Sequence, residues 1–355
     1  MATINQLWSI HSSRYACSPP PGTGIHTSLC FFFDSKTTYF DSVIETLAEW
    51  PEADVPIISV VIDPRDLSLI PASSLPGLPA RFFDLYKLET LASSPLLRHT
   101  DAFRLRLPGS ELARYLCRKS PNSLPAITFL DASTSSVDVA DVNLLLRSLP
   151  RLRHLILDGC GTLDEVTIEK WTEFGHDCLM INSGLELERV ENERFASRSV
   201  TSLEPESPDS VPIVGTTRGV SILPWVTALQ TIALSAPPNA DVNAQRRFMA
   251  ALQRGCSDAV TEFNERMHSA RQGRSQGWRT VRFAKHGEAG HVIGHSGYHR
   301  MAVVDDDDFA TLDKVMDDEK CPVVCLGGKW GSEGGIGHAE GCSHSIALDI
   351  WEDKL

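Results

Sequence analysis

The chain has 355 residues, 42% of them hydrophobic and 22% charged, which is enough apolar content for one large or two medium packed domains. A formal net charge of −13 argues against a broad nucleic-acid surface, because neutralising phosphates requires an excess of Lys and Arg; it favours solubility and basic partners. No apolar run approaches the roughly 18 residues of a membrane span, and the first residues, MATINQLWSI, lack the basic lead and apolar core of a secretory signal, so a cytoplasmic or nuclear protein off the membrane is expected.

Six short apolar runs of strand length and β character follow in chain order: LCFFF (29–33), IISVVI (57–62), FRLRL (103–107), AITFL (126–130), HLIL (154–157) and CLMI (178–181). Between most of them, apolar residues recur at helical steps: Phe40, Val43, Ile44 and Leu47; Leu112, Tyr115 and Leu116; Val139, Val142, Leu145, Leu146 and Leu149; Ile168, Trp171 and Phe174. The pattern predicts an α/β fold of alternating strands and helices over residues 25–190. From Phe103 to Ile127 is 24 residues, from Ile127 to Leu155 is 28, and from Leu155 to Leu179 is 24, the spacing of a stacked strand-plus-helix repeat. An ordinary open parallel sheet accounts for the same alternation.

The best-formed unit is LPRLRHLILDGCGTL (149–163). Its order of Leu149, Leu152, Leu155, Leu157, Cys160 and Leu163 resembles the cysteine-containing leucine-rich repeats of F-box-associated proteins, and the chain is similar to fungal F-box-like repeat proteins. In such a unit alternate strand residues point inward and the Cys or Asn satisfies backbone groups in the turn that leaves the strand. On this alignment Ala132 takes the place of Cys160 in the preceding unit and Gly184 in the following one. The resemblance implies a leucine-rich-repeat-like stack that recognises a protein partner, although no segment matches the F-box pattern LPxEIxxxIFxxL.

The Ser-, Glu- and Pro-rich stretch 191–210 is expected to be a linker or exposed loop, and residues 211–355 a mixed C-terminal region. One or two strands or a buried helix are expected around ILPWVTALQTIAL, and the longest helix over residues 240–268. Between 246 and 300 there are ten Lys or Arg against four acids, and from 305 to 320 eight acids against two lysines. These blocks suit either a basic surface for phosphate or acidic peptide, or a helix face paired with an acidic loop.

Chemistry-bearing residues concentrate at the C-terminus. Cys321, Cys325, His338, Cys342 and His344 stand as C-x3-C-x12-H-x3-C-x-H, within the loose spacing of a zinc site, and Cys321, Cys325, His338 and Cys342 are the candidate ligand set. The glycines of LGGKWGSEGGIG between them oppose the helix that normally carries the second ligand pair. His286, His291, His295 and His299 cluster nearby with Glu288, but glycines break the helix that would align them. There is no phosphate-loop, nucleophile-elbow or dinucleotide motif, and the nine cysteines fit a reducing compartment. A protein–protein interaction module is therefore expected, with no catalytic residue assigned. The alternative is a metal-binding protein or metal-dependent hydrolase using the C-terminal His and Cys residues.

Overall fold

Short apolar runs followed by amphipathic helices too brief to stand alone become stable when the strands pair side by side and the helices share one core. A computed structural model of the chain describes residues 28–33, 40–62, 84–118, 123–160, 167–181, 219–235, 241–283, 291–292, 300–310, 321–326 and 340–351. These form an α/β fold. It begins with β1 (Ser28–Phe33), α1 (Phe40–Ala48), β2 (Ile57–Ile62), α2 (Tyr86–Ala92), β3 (Ala102–Arg106), α3 (Leu112–Cys117), β4 (Phe129–Asp131), α4 (Val139–Ser148) and β5 (His154–Leu157). Then come α5 (Ile168–Leu179), β6 (Met180–Ile181), β7 (Val220–Ile222), β8 (Trp225–Val226), β9 (Thr231–Leu234) and the 34-residue α6 (Val242–Ser275). The chain continues through β10 (Arg279–Phe283), β11 (His291–Val292), β12 (Arg300–Val303), β13 (Val323–Cys325) and α7 (Ser343–Trp351).

Seven strands pair in the order β1-β2-β3-β4-β5-β9-β13, and every pairing is parallel. The order along the sheet follows the order along the chain. Alternate strand residues, such as Ile58 and Val60, Phe103 and Leu105, Leu130, Leu155 and Leu157, and Ile232 and Leu234, join the buried faces of α1 to α6 in one core. Full burial of each such side chain stabilises the fold by roughly 1.5–3 kcal/mol. Smaller sheets, β11-β12-β10-β7 and β6-β8, flank this core.

Three successive turns off the sheet have the same conformation at 25-residue intervals. Gly109, Thr134 and Gly159 all take positive φ, at 69°, 67° and 69°. The next residue in each turn donates its backbone N–H to the carbonyl three residues back: Ser110 to Leu107, Ser135 to Ala132 and Cys160 to Leu157. The turns are also laced together, Gly109 N–H to Thr134 O and Thr134 N–H to Asp158 O. Leu130 pairs in register with Leu155, so Ser135, not Ala132, occupies the place of Cys160. The expected 24- and 28-residue steps were uneven because Ile127 precedes its strand; its N–H closes a turn onto Leu124 O instead.

The run 178–181 does not add a strand to the main sheet. Cys178 falls on the buried face of α5 with Trp171 and Phe174, so the helix continues through Leu179, and Met180 and Ile181 pair antiparallel with β8. The strand beside β5 is β9, from the ILPWVTALQTIAL segment. Residues 191–210, expected as a linker, lie outside the described residues, and the sheet draws β9 and β13 from beyond them. The long helix expected over 240–268 runs to Ser275, its first turn capped by Asp241 accepting from the Ala244 N–H at 2.6 Å.

The α5–α6 crossing requires glycine on both sides. A Cβ at Gly175 would lie 2.1 Å from Leu252 O, and one at Gly255 would lie 1.8 Å from Thr172 O. Gly255→Ala must therefore push two backbones apart and should cost about 3 kcal/mol in urea denaturation; a neutral result would contradict the crossing. Thr134 is a β-branched residue at positive φ with a buried, unpartnered hydroxyl. Thr134→Gly removes both penalties and should raise stability by about 1 kcal/mol in the same assay.

Candidate functional site

The second face of the main sheet carries a different set of residues. Ala102, Phe129, Ile156, Ala233 and Cys325 point there, and α7 lies against them through Cys342, Ala347 and Trp351. Ser343, Ala347 and Trp351 follow at steps of four, so one stripe of α7 is buried. The small side chains of Ala102 and Ala233 let the helix approach closely. Trp351 meets Phe129 edge-on at 6.3 Å between ring centroids, and the Arg104 guanidinium lies 4.4 Å from the Trp351 ring. At the other end of α7 the Ser343 and Thr231 hydroxyls are 2.5 Å apart.

The start of α7 brings together thiol, imidazole and carboxylate. Cys342 caps the helix, its carbonyl accepting the Ile346 N–H at 3.2 Å. Its Sγ is 4.0 Å from His344 Nδ1, and His344 Nε2 is 2.5 Å from Asp158 Oδ2 in the turn after β5. Cys325, at the end of β13, completes a group in which one donor atom from each of Cys325, Cys342 and His344 lies within 4.8 Å of the others. Cys325, Cys342 and His344 are 3%, 0% and 2% exposed.

Electrostatics favour charge here despite burial. Burial alone would raise the Cys342 thiol, but the backbone N–H groups of Ser345 and His344, the His344 ring and Cys325 bring it below the ordinary thiol value. Burial alone would lower His344, yet the Asp158 hydrogen bond and the Cys325 sulfur push it up to about 10. The three side chains could hold a soft divalent ion. A thiol beside an imidazole oriented by a carboxylate also contains the parts of a nucleophile and its base, but here the sulfurs and ring are enclosed between α7 and the sheet.

Beside this centre, Asp131 is fully buried at the end of β4. It accepts from Arg104 Nε at 3.2 Å, Arg106 Nη2 at 2.7 Å and the Ser133 hydroxyl at 2.6 Å. Burial would raise its pKa, but Arg106 and Arg104 together hold it below the ordinary 3.8. Arg104 thus links Asp131 to Trp351.

The candidates from sequence separate in space. Cys325 and Cys342 meet, with His344 as their neighbour. Cys321 instead packs against the core on the helical face of the sheet, its thiol in contact with Cys256 of α6. His338, His286, His295, His299 and Glu288 lie outside the described residues, and His291 begins β11. Cys160 donates its thiol to Ala132 O at 3.2 Å and is pushed up to about 12 chiefly by burial, the state of a structural thiol. Asp158 had no local signal; it is 186 positions from His344, and only its place after a central strand brings it there. The basic and acidic blocks meet in Arg274–Asp306 and Arg282–Asp308 pairs, each at 2.9 Å. Among the described residues, no helix is long and apolar enough to cross a membrane.

No protein-family model and no curated protein matches the sequence.

Replacing Asp131 by Asn leaves Arg104 buried without its counter-charge and should cost about 3–5 kcal/mol in urea denaturation at neutral pH. Because the folded-state pKa is depressed, the wild-type contribution is present above pH 3.8 and is lost as pH falls through the lower folded value. Denaturation series between pH 6 and 2 should therefore converge for wild type and variant at the acid end; parallel curves would show that Asp131 is not the responsible group.

Proposed function

We propose that the chain is a leucine-rich-repeat-like scaffold that binds another protein. The observation that carries this reading is the 25-residue recurrence of turn conformation and hydrogen bonding at Gly109, Thr134 and Gly159, on parallel strands laid down in chain order with their helices on one face. Stacked units of that kind share a core and leave an extended outer surface on which a few anchors supply affinity. Cys160 fits the same reading, since its thiol satisfies the carbonyl of Ala132 in the neighbouring unit. The enclosed thiol–imidazole cluster belongs to the architecture of this scaffold rather than to turnover, because its donors are buried.

The outer surface of α2 and α3 carries suitable anchors. Tyr86 is 61% exposed and meets Tyr115 edge-on at 5.4 Å, and the Arg118 guanidinium lies 5.4 Å from the Tyr86 ring. Tyrosine and arginine held in fixed geometry lose little entropy on binding, which makes such groups frequent hot spots. Affinity capture with the full chain should recover a defined protein partner, and Tyr86→Ala combined with Arg118→Ala should weaken that binding at least about tenfold, or roughly 1.4 kcal/mol, with the melting temperature unchanged. Equal binding by the folded double variant would reject this surface.

A further inference from the structure

We propose that Cys325, Cys342 and His344 supply three of the four ligands of a buried zinc ion, that Asp158 orients the histidine ligand, and that the ion fastens α7 to the sheet. The three donors come from two elements, the end of β13 and the start of α7, and converge within 4.8 Å. Zinc–sulfur bonds of about 2.3 Å and zinc–nitrogen bonds of about 2.0 Å place tetrahedral neighbours roughly 3.5–3.8 Å apart. The Cys342 Sγ to His344 Nδ1 distance is already 4.0 Å, so closure onto an ion requires shifts of ångström size or less. Two thiolates and an imidazole are soft donors that select zinc over magnesium or calcium.

Asp158 supplies the outer shell that such a histidine needs. With Nε2 donating to Asp158 Oδ2, Nδ1 faces Cys342 Sγ and binds the ion by giving up its proton, while the carboxylate fixes the ring plane. Burial of Cys325, Cys342 and His344 to 3% exposure or less keeps the ion away from bulk solvent. The position also gives the ion a mechanical role. Cys325 belongs to the sheet, Cys342 and His344 belong to α7, and Asp158 belongs to the turn after β5, so a single ion links helix, last strand and central strand. The far end of α7 is held separately by Trp351 on Phe129 and Arg104.

The test uses the intact chain. Metal analysis after dialysis should give one zinc per chain, and exchange for cobalt should produce thiolate-to-cobalt charge-transfer absorption. Cys342→Ser and His344→Ala should lose the ion, Cys321→Ala should keep it, and Asp158→Asn should keep the stoichiometry with affinity reduced about 10- to 100-fold. Chelation of the wild type should accelerate amide exchange across Ser343–Trp351 while α6 stays protected. A folded wild type that takes up neither zinc nor cobalt overturns the proposal, as does loss of the ion in Cys321→Ala. If the ligand variants do not fold, the cobalt spectrum of the wild type decides alone. Exchange in α7 that ignores the ion overturns the fastening role.

Discussion

A parallel sheet must be covered on both faces, yet among the described residues the helices that connect its strands pack on one face. The second face therefore depends on chain that is not part of the strand–helix alternation. Among the described residues that cover is α7, set against Ala102, Phe129, Ile156 and Ala233. The composition of the strands reflects this division. The helical face holds Leu, Ile, Val and Phe, whereas the second face mixes small side chains with Arg104, Asp131, Thr231 and Cys325. A polar second face is costly wherever it is left unsatisfied; Asp131 pairs with two arginines, one of which stacks on Trp351, and Thr231 meets Ser343, while the buried Ser59 hydroxyl and Trp351 indole N–H find no hydrogen-bond partner among the described residues.

Much of the helical face was legible in the sequence because periodicity reports burial directly. The strand runs at 57–62, 103–107 and 154–157, and the helical spacing in α1, α3 and α4, all appear within a residue or two of their expected limits, while α5 starts at its expected Ile168 and runs five residues past Phe174. The run at 178–181 misled because an apolar segment fits a buried strand or the last turn of a buried helix equally well; the packing of Cys178 alongside Trp171 and Phe174 decided for the helix. The repeat interval was blurred for a related reason. Counting from Ile127 placed a turn residue in a strand, while the true 25-residue step is carried by backbone conformation at Gly109, Thr134 and Gly159, and Thr134 gives no sequence warning of positive φ.

The second face was less legible because its partners are far apart in the chain. Cysteine spacing drew attention to the right region but could not say that Cys321 turns toward α6 while Cys325 turns to the opposite side of the sheet. Nor could it find Asp158, whose role depends on β5 lying beside β9 and β9 beside β13. Neighbouring strands in a parallel sheet end at the same edge, so residues just past their C-terminal ends become neighbours whatever their separation in sequence.

That edge rule also explains why the centre sits at one end of the sheet. A one-dimensional array gains stability from each neighbour and is weakest where neighbours run out. Among the described residues β13 is the last strand of the sheet and pairs only with β9. At the second face its Cys325 packs against α7. Joining Cys325 to Cys342 and His344, and His344 to Asp158, ties this terminal strand to β5, two strands inward. On the proposed protein-binding reading, the surface left for recognition is the outer side of the helices, on the face of the sheet opposite α7.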